Sequence, residues 1–517
     1  MDDPTGGAVA AAMRAALPPG ELEEIETGAL DVLGLPVISC TFFPAAEAGP
    51  GTPVTSSHGY GATPGAARTG ALGELTEESR LSATTRRRRP RRADYASLLR
   101  ERGPQRVADP LTLVLPAGSP YTADRPLDWL PARRWTAGSG PGEEVLVPAE
   151  LVGVYSPDLP AGPPPGGWLA PLITNGLGAG DCIERAVAHG LLELLQRDGN
   201  GLRFRALDPG VVLDLGGPDW PEVRDPATRD ALRRLAAAGV EVLPKLATTE
   251  LGIPNVYVVG CEPAGVEPPQ PIMVTAAGEA AHPDREAALR KAVLEFAAAR
   301  TRKAWKHGSL AQAQAVAPAG YLPRWLARGA GASEPRALAA MVAWASSSAD
   351  RLREHLAPAV LSRRSSVRFC DLPTTTGEDP ATVCDLVLRR LADAGFDVLV
   401  VDCSGDGVAA VKVVVPGLEV ETMSYGRIGE RGVAELLAQD RDDLAGLGEP
   451  PAGAAPVLLT DAAQDRLGGP AWFSPKRAAE VVGPLYPLYR EPGRHAAALA
   501  LASPLHPSTA LRSQPAP

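Results

Sequence analysis

The chain lacks any apolar run of about eighteen residues, so no segment reads as a membrane span. Its start, "MDDPTGG", is acidic and has no basic n-region, so it does not open like a signal peptide. The expectation is a cytoplasmic protein. Six cysteines in 517 residues, with no Cys-x-x-Cys pair, offer neither a disulfide scaffold nor a zinc pattern. A basic excess is also missing: the net charge is −10, which argues against general affinity for nucleic acid. The one strongly basic run, "RRRRPRR" (86–92), reads as an exposed loop, with contact to an acidic leader peptide or a nucleotide as its functional alternative. A Walker loop is missing too. "TNGLGAGDC" places Gly176, Gly178 and Gly180 at alternate positions before a helix, but no Gly-Lys-Ser/Thr follows.

What is present is an ordinary globular composition, 45% apolar and 22% charged, long enough for two or three domain-sized units. Residues 1–35 read as an acidic helical extension, "ELEEIETGALDVLG". "GLPVISCTFF" has strand length and composition. Thr63 and Pro64 have the chemistry of a helix N-cap and first helical position, ahead of "GALGELTEESRLSA". "RRWTAG…EEVLVPAELV" reads as a hairpin, and "VEVLPKLATT", "PNVYVVGCEP" and "FDVLVVDCSGDGVAAVKVVVPGLE" supply further strands. "IERAVAHGLLELLQRD" and "REAALRKAVLEFAAARTRK" are helices. Residues 36–435 form the core domain and 436–517 a linker and Pro/Ala-rich tail. Strands and helices alternate irregularly, so the class is α/β, of the mixed α+β kind. No short-period repeat is visible, only an echo: "ALGELTEESR" and "LLELLQRDG" each place an acid three residues before a second polar group.

Glu74 and Glu77 lie three apart on one helical face, where like charges repel. A cation between them removes that penalty, and Mg²⁺ takes one or two carboxylates plus phosphate oxygens. The bland alternative is a solvated acidic face. Glu193 and Gln196 repeat the spacing, with Arg197 four past Glu193 as a plain i,i+4 partner. Glu184 follows Asp181 by three, a capping-box-like arrangement. Glu295 and Arg300 flank an alanine-rich helix. His58, before the first acidic helix, is a candidate proton carrier.

Taken in order, "GALGELTEESR", "NGLGAGDCIERAVAHGLLELLQRD", "REAALRKAVLEFAAAR" and "VVDCSGDGVAAVKVVVPGLEVETMSYGRIGER" resemble the YcaO family over roughly residues 30–435. The resemblance implies mixed sheets and acidic helices around a central ATP cleft. It implies ATP-dependent O-phosphorylation of a peptide backbone amide, in ribosomal peptide natural-product biosynthesis. A neighbouring Cys, Ser or Thr nucleophile gives an azoline, sulfide a thioamide, an amine an amidine. The cofactors implied are ATP and Mg²⁺. Glu74, Glu77, Glu193 and Gln196 take the metal-binding positions. Glu184, Glu193, Arg197, Glu295 and Arg300 take the nucleotide positions, with Arg197 and Arg300 as the arginines facing phosphate.

Three positions depart from the family pattern: Gln196 and Ala298 stand where it has Glu and Gln, and Glu78 where it has Arg. A catalytically degenerate peptide-binding subunit is therefore the competing class. The end, "SQPAP", partly matches the family's Pro-x-Pro-x-Pro terminus: Pro515 and Pro517 are in place, but Ser513 replaces a proline. The implied partners are a peptide substrate and a separate leader-binding or sulfur-delivery protein, with homodimerisation left open.

Overall fold

A computed structural model describes residues 4–48, 52–159, 162–163, 167–328, 333–377 and 379–503. The N-terminal helix α1 (Pro4–Ala15) precedes an antiparallel sheet, β1 (Gly20–Glu26), β2 (Val37–Pro44) and β3 (Thr55–Tyr60), and the long helix α2 (Pro64–Arg87). The acidic stretch expected to be helical is therefore the edge strand β1. Leu22 and Ile25 have helix-like spacing, but Glu21–Glu26 pairs with Ile38–Phe43, and tertiary pairing overrides local pattern. As the sequence suggests, Thr63 caps α2: its hydroxyl accepts from the Ala66 N–H at 3.2 Å, with Pro64 next.

The second sheet is built from β4 (Arg91–Asp94), β5 (Pro126–Thr136), β6 (Gly140–Pro148), β7 (Leu177–Gly180), and later β13 (Leu399–Asp402) and β14 (Ala409–Val414). Helices α3 (Tyr95–Arg102) and α4 (Ile183–Asn200) lie between them in the chain. The third sheet, in the order β11-β10-β9-β8-β12, comprises β8 (Val211–Asp214), β9 (Glu241–Thr248), β10 (Asn255–Cys261), β11 (Ala277–Ala281) and β12 (Ser365–Arg368). Helices α5 (Pro226–Ala237) and α6 (Arg285–His307) pack on one face of it, burying Leu232, Val293 and Phe296 against Val256 and Val258. Helices α7 (Leu310–Val316), α8 (Tyr321–Arg328), α9 (Pro335–Ala345) and α10 (Ala349–Leu356) follow α6. Met341 and Trp344 of α9 and Leu352 of α10 cover the other face through Tyr257 and Val259. Helix α11 (Pro380–Asp393) joins α4 over Val400, Val411 and Val413.

The region expected to be linker and tail is folded up to residue 503. Helices α12 (Thr422–Tyr425) and α13 (Glu430–Ala438) lead into a small sheet of β15 (Ala445–Leu447), β16 (Ala455–Pro456) and β17 (Ala471–Phe473), with α14 (Asp461–Leu467), α15 (Pro475–Val482) and α16 (Ala496–Ala502). Leu436, Leu444, Phe473 and Val482 share a core with Leu202 and Leu207. Ser513, Pro515 and Pro517 lie outside the described residues.

The echo noted in the sequence is a structural unit. Strand β3 runs into α2, β7 into α4 and β11 into α6, and each of these strands is an edge of a different sheet. Each carries a glycine beneath its own helix. A Cβ on Gly59 would lie 1.8 Å from the Ala67 carbonyl oxygen, one on Gly178 2.0 Å from that of Ala186, and one on Gly278 2.1 Å from that of Ala292. The alternate glycines before α4 thus serve close helix–strand packing, not a phosphate loop. Gly178→Ala is expected to destabilise the fold by about 2 kcal/mol or more, because the three nearest atoms, in Ala186 and Gly190, are all backbone. Thermal denaturation against a Gly7→Ala control, where a Cβ meets nothing and the backbone is helical, checks this.

Candidate functional site

The three units close into a ring: α2 also touches β7, α4 touches β11 and α6 touches β3. Each helix turns an acid inward, and a backbone N–H of an edge strand holds it. His58 N–H donates to Glu74 at 3.1 Å, Gly176 N–H, just ahead of β7, to Glu193 at 2.8 Å, and Glu279 N–H to Glu295 at 3.0 Å. Three residues further along α2, Glu77 accepts from Ala179 N–H of the next unit at 3.1 Å. The corresponding position of α4 is Gln196, which faces Glu279 of β11 at 3.5 Å. On α6 it is Ala298. Glu74, Glu77, His58, Tyr60, Lys291 and their neighbours line a cavity of about 550 Å³.

Loss of hydration within the cleft raises Glu74 to about 7 although its side chain keeps access to solvent, with Glu78 and Glu295 adding to the rise against the opposing His58 N–H and Arg302. Burial likewise pushes Glu77 well above the usual range, reinforced by Glu193 and Glu74. Glu295 is raised in the same way by burial. The cations between them are Lys291, lowered by burial despite Glu295, Glu193 and Glu77, and Arg302, whose charge is favoured by Glu491, Glu295 and Glu74. Lys412 is pushed down to about 8 by burial, opposed by Glu193. Arg197 lies 3.7 Å from Glu193 and 3.4 Å from Glu279.

Of the residues singled out in the sequence, Glu74, Glu77, Glu193, Gln196, Arg197 and Glu295 come together. Glu184 and Arg300 do not. Glu184 is nine positions before Glu193, about 180° round the helix. It lies towards Cys384 of α11, whose thiol its charge helps raise. The N-cap of α4 is Cys182, without a side-chain bond, and Asp181 pairs with Arg185 at 2.7 Å instead of forming a capping box. Arg300 is fully buried, with its guanidinium held by Asp31 at 2.8 Å and Glu262 at 2.6 Å. It is five positions from Glu295, about 140° away, whereas Lys291 and Arg302, four before and seven after, share the Glu295 face. That phase was readable from the sequence. Glu279 was not, because a lone acid in "AAGEAA" carries no spacing signal. It is 8% exposed and accepts from Gln196, Arg197, Asn200 and Arg205. Burial opposes its ionisation, but Arg205 and Arg197 outweigh that and hold it below its ordinary value.

Of the basic run, Arg86 pairs with the buried Asp158 at 3.0 Å and Arg88 donates to the Asp402 carbonyl at 2.7 Å, so these arginines fasten the end of α2.

Among the described residues no three acidic, imidazole or thiol side chains converge closely enough to hold a metal ion by themselves. The acids come as neighbours, each with one oxygen on a backbone N–H. That suits an ion taking one or two carboxylates and completing its shell with phosphate and water. Helix-borne carboxylates with lysine and arginine between them have the chemistry to meet a polyanion through metal ions. The chain belongs to the YcaO family: the model described as YcaO cyclodehydratase, ATP- and Mg²⁺-binding, matches residues 58–419. An uncharacterized protein of Methanothermobacter thermautotrophicus is 30% identical over 410 residues, 78% of this chain and 90% of that one. The structure of YcaO from Methanopyrus kandleri bound with AMPPCP and Mg²⁺ is 20% identical, with TM-score 0.52, covering 81% of this chain and 91% of that one. A heterocyclase in complex with substrate and cofactor is 19% identical, with TM-score 0.54 over 78% of this chain. The present chain spans only 51% of that heterocyclase's length. Both share the fold. No helix among the described residues is long and apolar enough to cross a membrane.

The raised carboxyls set a pH dependence. Folded Glu74 holds its proton up to about 7, whereas the unfolded chain releases it near 4.5. Its stabilising protonation is complete below the unfolded value and is lost as pH rises through the folded one. The thermal midpoint of the nucleotide-free chain is expected to fall between about pH 5 and pH 8, and Glu74→Gln to flatten that fall. A variant with the wild-type slope would exclude Glu74 as its source.

Proposed function

We propose that this chain uses ATP to activate a peptide backbone amide, most specifically for closure of a Cys, Ser or Thr side chain to an azoline. The side-chain nucleophile gives up its proton as it adds to the amide carbon, and the resulting oxyanion takes the γ-phosphoryl group of ATP, releasing ADP. Loss of phosphate and the amide proton leaves the C=N bond. The observation that carries the reading is the ring of Glu74, Glu77, Glu193, Glu279 and Glu295, interleaved with Arg197, Lys291 and Arg302. Glu74, Glu77 and Glu193 are the residues that would hold Mg²⁺, which supplies positive charge between acids and phosphates. Arg197, Lys291 and Arg302 are the cations that would face the phosphate oxygens; Arg302 would take the role expected of Arg300, whose guanidinium is held by Asp31 and Glu262. Fixed cations placed where charge develops are the main contribution a protein makes to phosphoryl transfer.

The degenerate-subunit reading rested on Gln196 and Ala298. Gln196 donates to Glu279, so a carboxylate stands at that point of the ring after all. This supports a retuned site over a decayed one.

Calorimetry of the full chain should show Mg²⁺-dependent ATP binding. Glu193→Ala should lower ATP turnover in the presence of a substrate peptide by about 100-fold or more. Loss of one water per modified peptide residue would mark the azoline, and exchange of oxygen for sulfur a thioamide. An unchanged turnover in Glu193→Ala would remove the metal assignment. Absence of ATP binding by the wild type would return the chain to the peptide-binding class.

A further inference from the structure

Beyond the acids, α6 continues into a basic region. Lys306 lies four positions after Arg302 on the same face, and Lys303 and His307 flank it. The segment between α15 and α16 reaches back onto this end: His495 N–H donates to the Lys306 carbonyl at 2.7 Å, and Glu491 is 2.9 Å from Lys306 and 3.3 Å from His307. Glu491 also pairs with Lys303. Its carboxyl lies well below the usual range because Lys303, Lys306 and His307 outweigh its burial. One carboxylate is thus already at home here.

Cations remain beyond it. Arg494 is 4% exposed, lies over the faces of Trp305 and Trp325, and uses Nη1 alone, donating to Thr41 at 2.7 Å and Tyr321 at 3.0 Å. Its Nε and Nη2 are buried and have no hydrogen-bond partner among the described residues. Those two atoms form the side-on fork that binds both oxygens of a carboxylate. Elsewhere in this molecule that same edge is filled by carboxylates: Arg203 on Glu435, Arg431 on Asp198, Arg466 on Glu430 and Arg441 on Asp443. Arg302 Nε and both ring nitrogens of His58 are likewise buried without a partner. The charges of Arg494, Lys306 and Arg302 all bear on His58, which lines the cleft. Buried donors left unmade are costly, and here several fall at one end of α6.

We propose that Arg494, with Lys306, Arg302 and His58, forms a carboxylate-binding subsite at the basic end of the cleft. Its ligand is a carboxylate-bearing molecule entering beside the acid ring. This rests on the geometry of α6 and the segment around Arg494, and does not depend on the amide-activation reading.

The test is the thermal midpoint of the full chain titrated with acetate, with inorganic phosphate, and with chloride at matched ionic strength. A ligand that binds only the folded chain stabilises it by RT ln(1 + L/Kd), where L is its free concentration. Acetate is expected to give a rise beyond chloride that grows with the logarithm of its concentration. Arg494→Lys keeps the charge but removes the fork, and Lys306→Met removes a less buried charge. Each should weaken acetate by about tenfold or more, equivalent to about 1.4 kcal/mol, while Mg·ATP affinity stays within about twofold. Should Arg494→Lys fail to fold, Lys306→Met decides alone. Acetate acting no better than chloride, phosphate acting without acetate, or acetate binding retained in the folded variants would each overturn the proposal.

Discussion

Everything in this cleft follows from keeping like charges together inside a protein. Carboxylates packed beside one another repel, and burial removes the water that would screen them. Here each of four acids is fixed by a single backbone N–H, from His58, Gly176, Ala179 or Glu279, and those donors belong to or adjoin strands at sheet edges. Such an edge group must find an acceptor. The acids supply it, so the edges need the acids as much as the acids need the edges. The glycines at 59, 178 and 278 bring the helices close enough for this to happen.

The ring also explains how α4 tolerates glutamine where the family pattern has an acid. The negative charge has moved across to β11. Glu279 stands opposite, ionised, gathering Gln196, Arg197, Asn200 and Arg205. An amide is the better neighbour for a fixed carboxylate, since it can donate where a second acid could only repel.

Much of this was legible in the chain. The capped start of α2, the paired acids at 74 and 77 and the polar face of α4 all announced themselves through helical spacing. Arg302 could have been read in the same way, since residues 291, 295 and 302 share a phase that 300 breaks. What spacing cannot convey is pairing across the fold. Nothing local says that Asp31 and Glu262 will claim Arg300, that "ELEEIE" will lie against β2, or that Glu279 will matter. Nor does a proline- and alanine-rich composition reveal that residues up to 503 fold against Leu202 and Leu207.

The three strands that frame the cleft each end a separate sheet. An edge strand is normally a template on which another chain can add. In the assembled molecule these edges face one another beneath helices, and the hazard is shut inside. Before the sheets dock, all are open at once. The same surfaces that later gather charge can then recruit a second, half-folded copy. A lesion that loosens the ring therefore threatens the yield of folded chain as much as its chemistry.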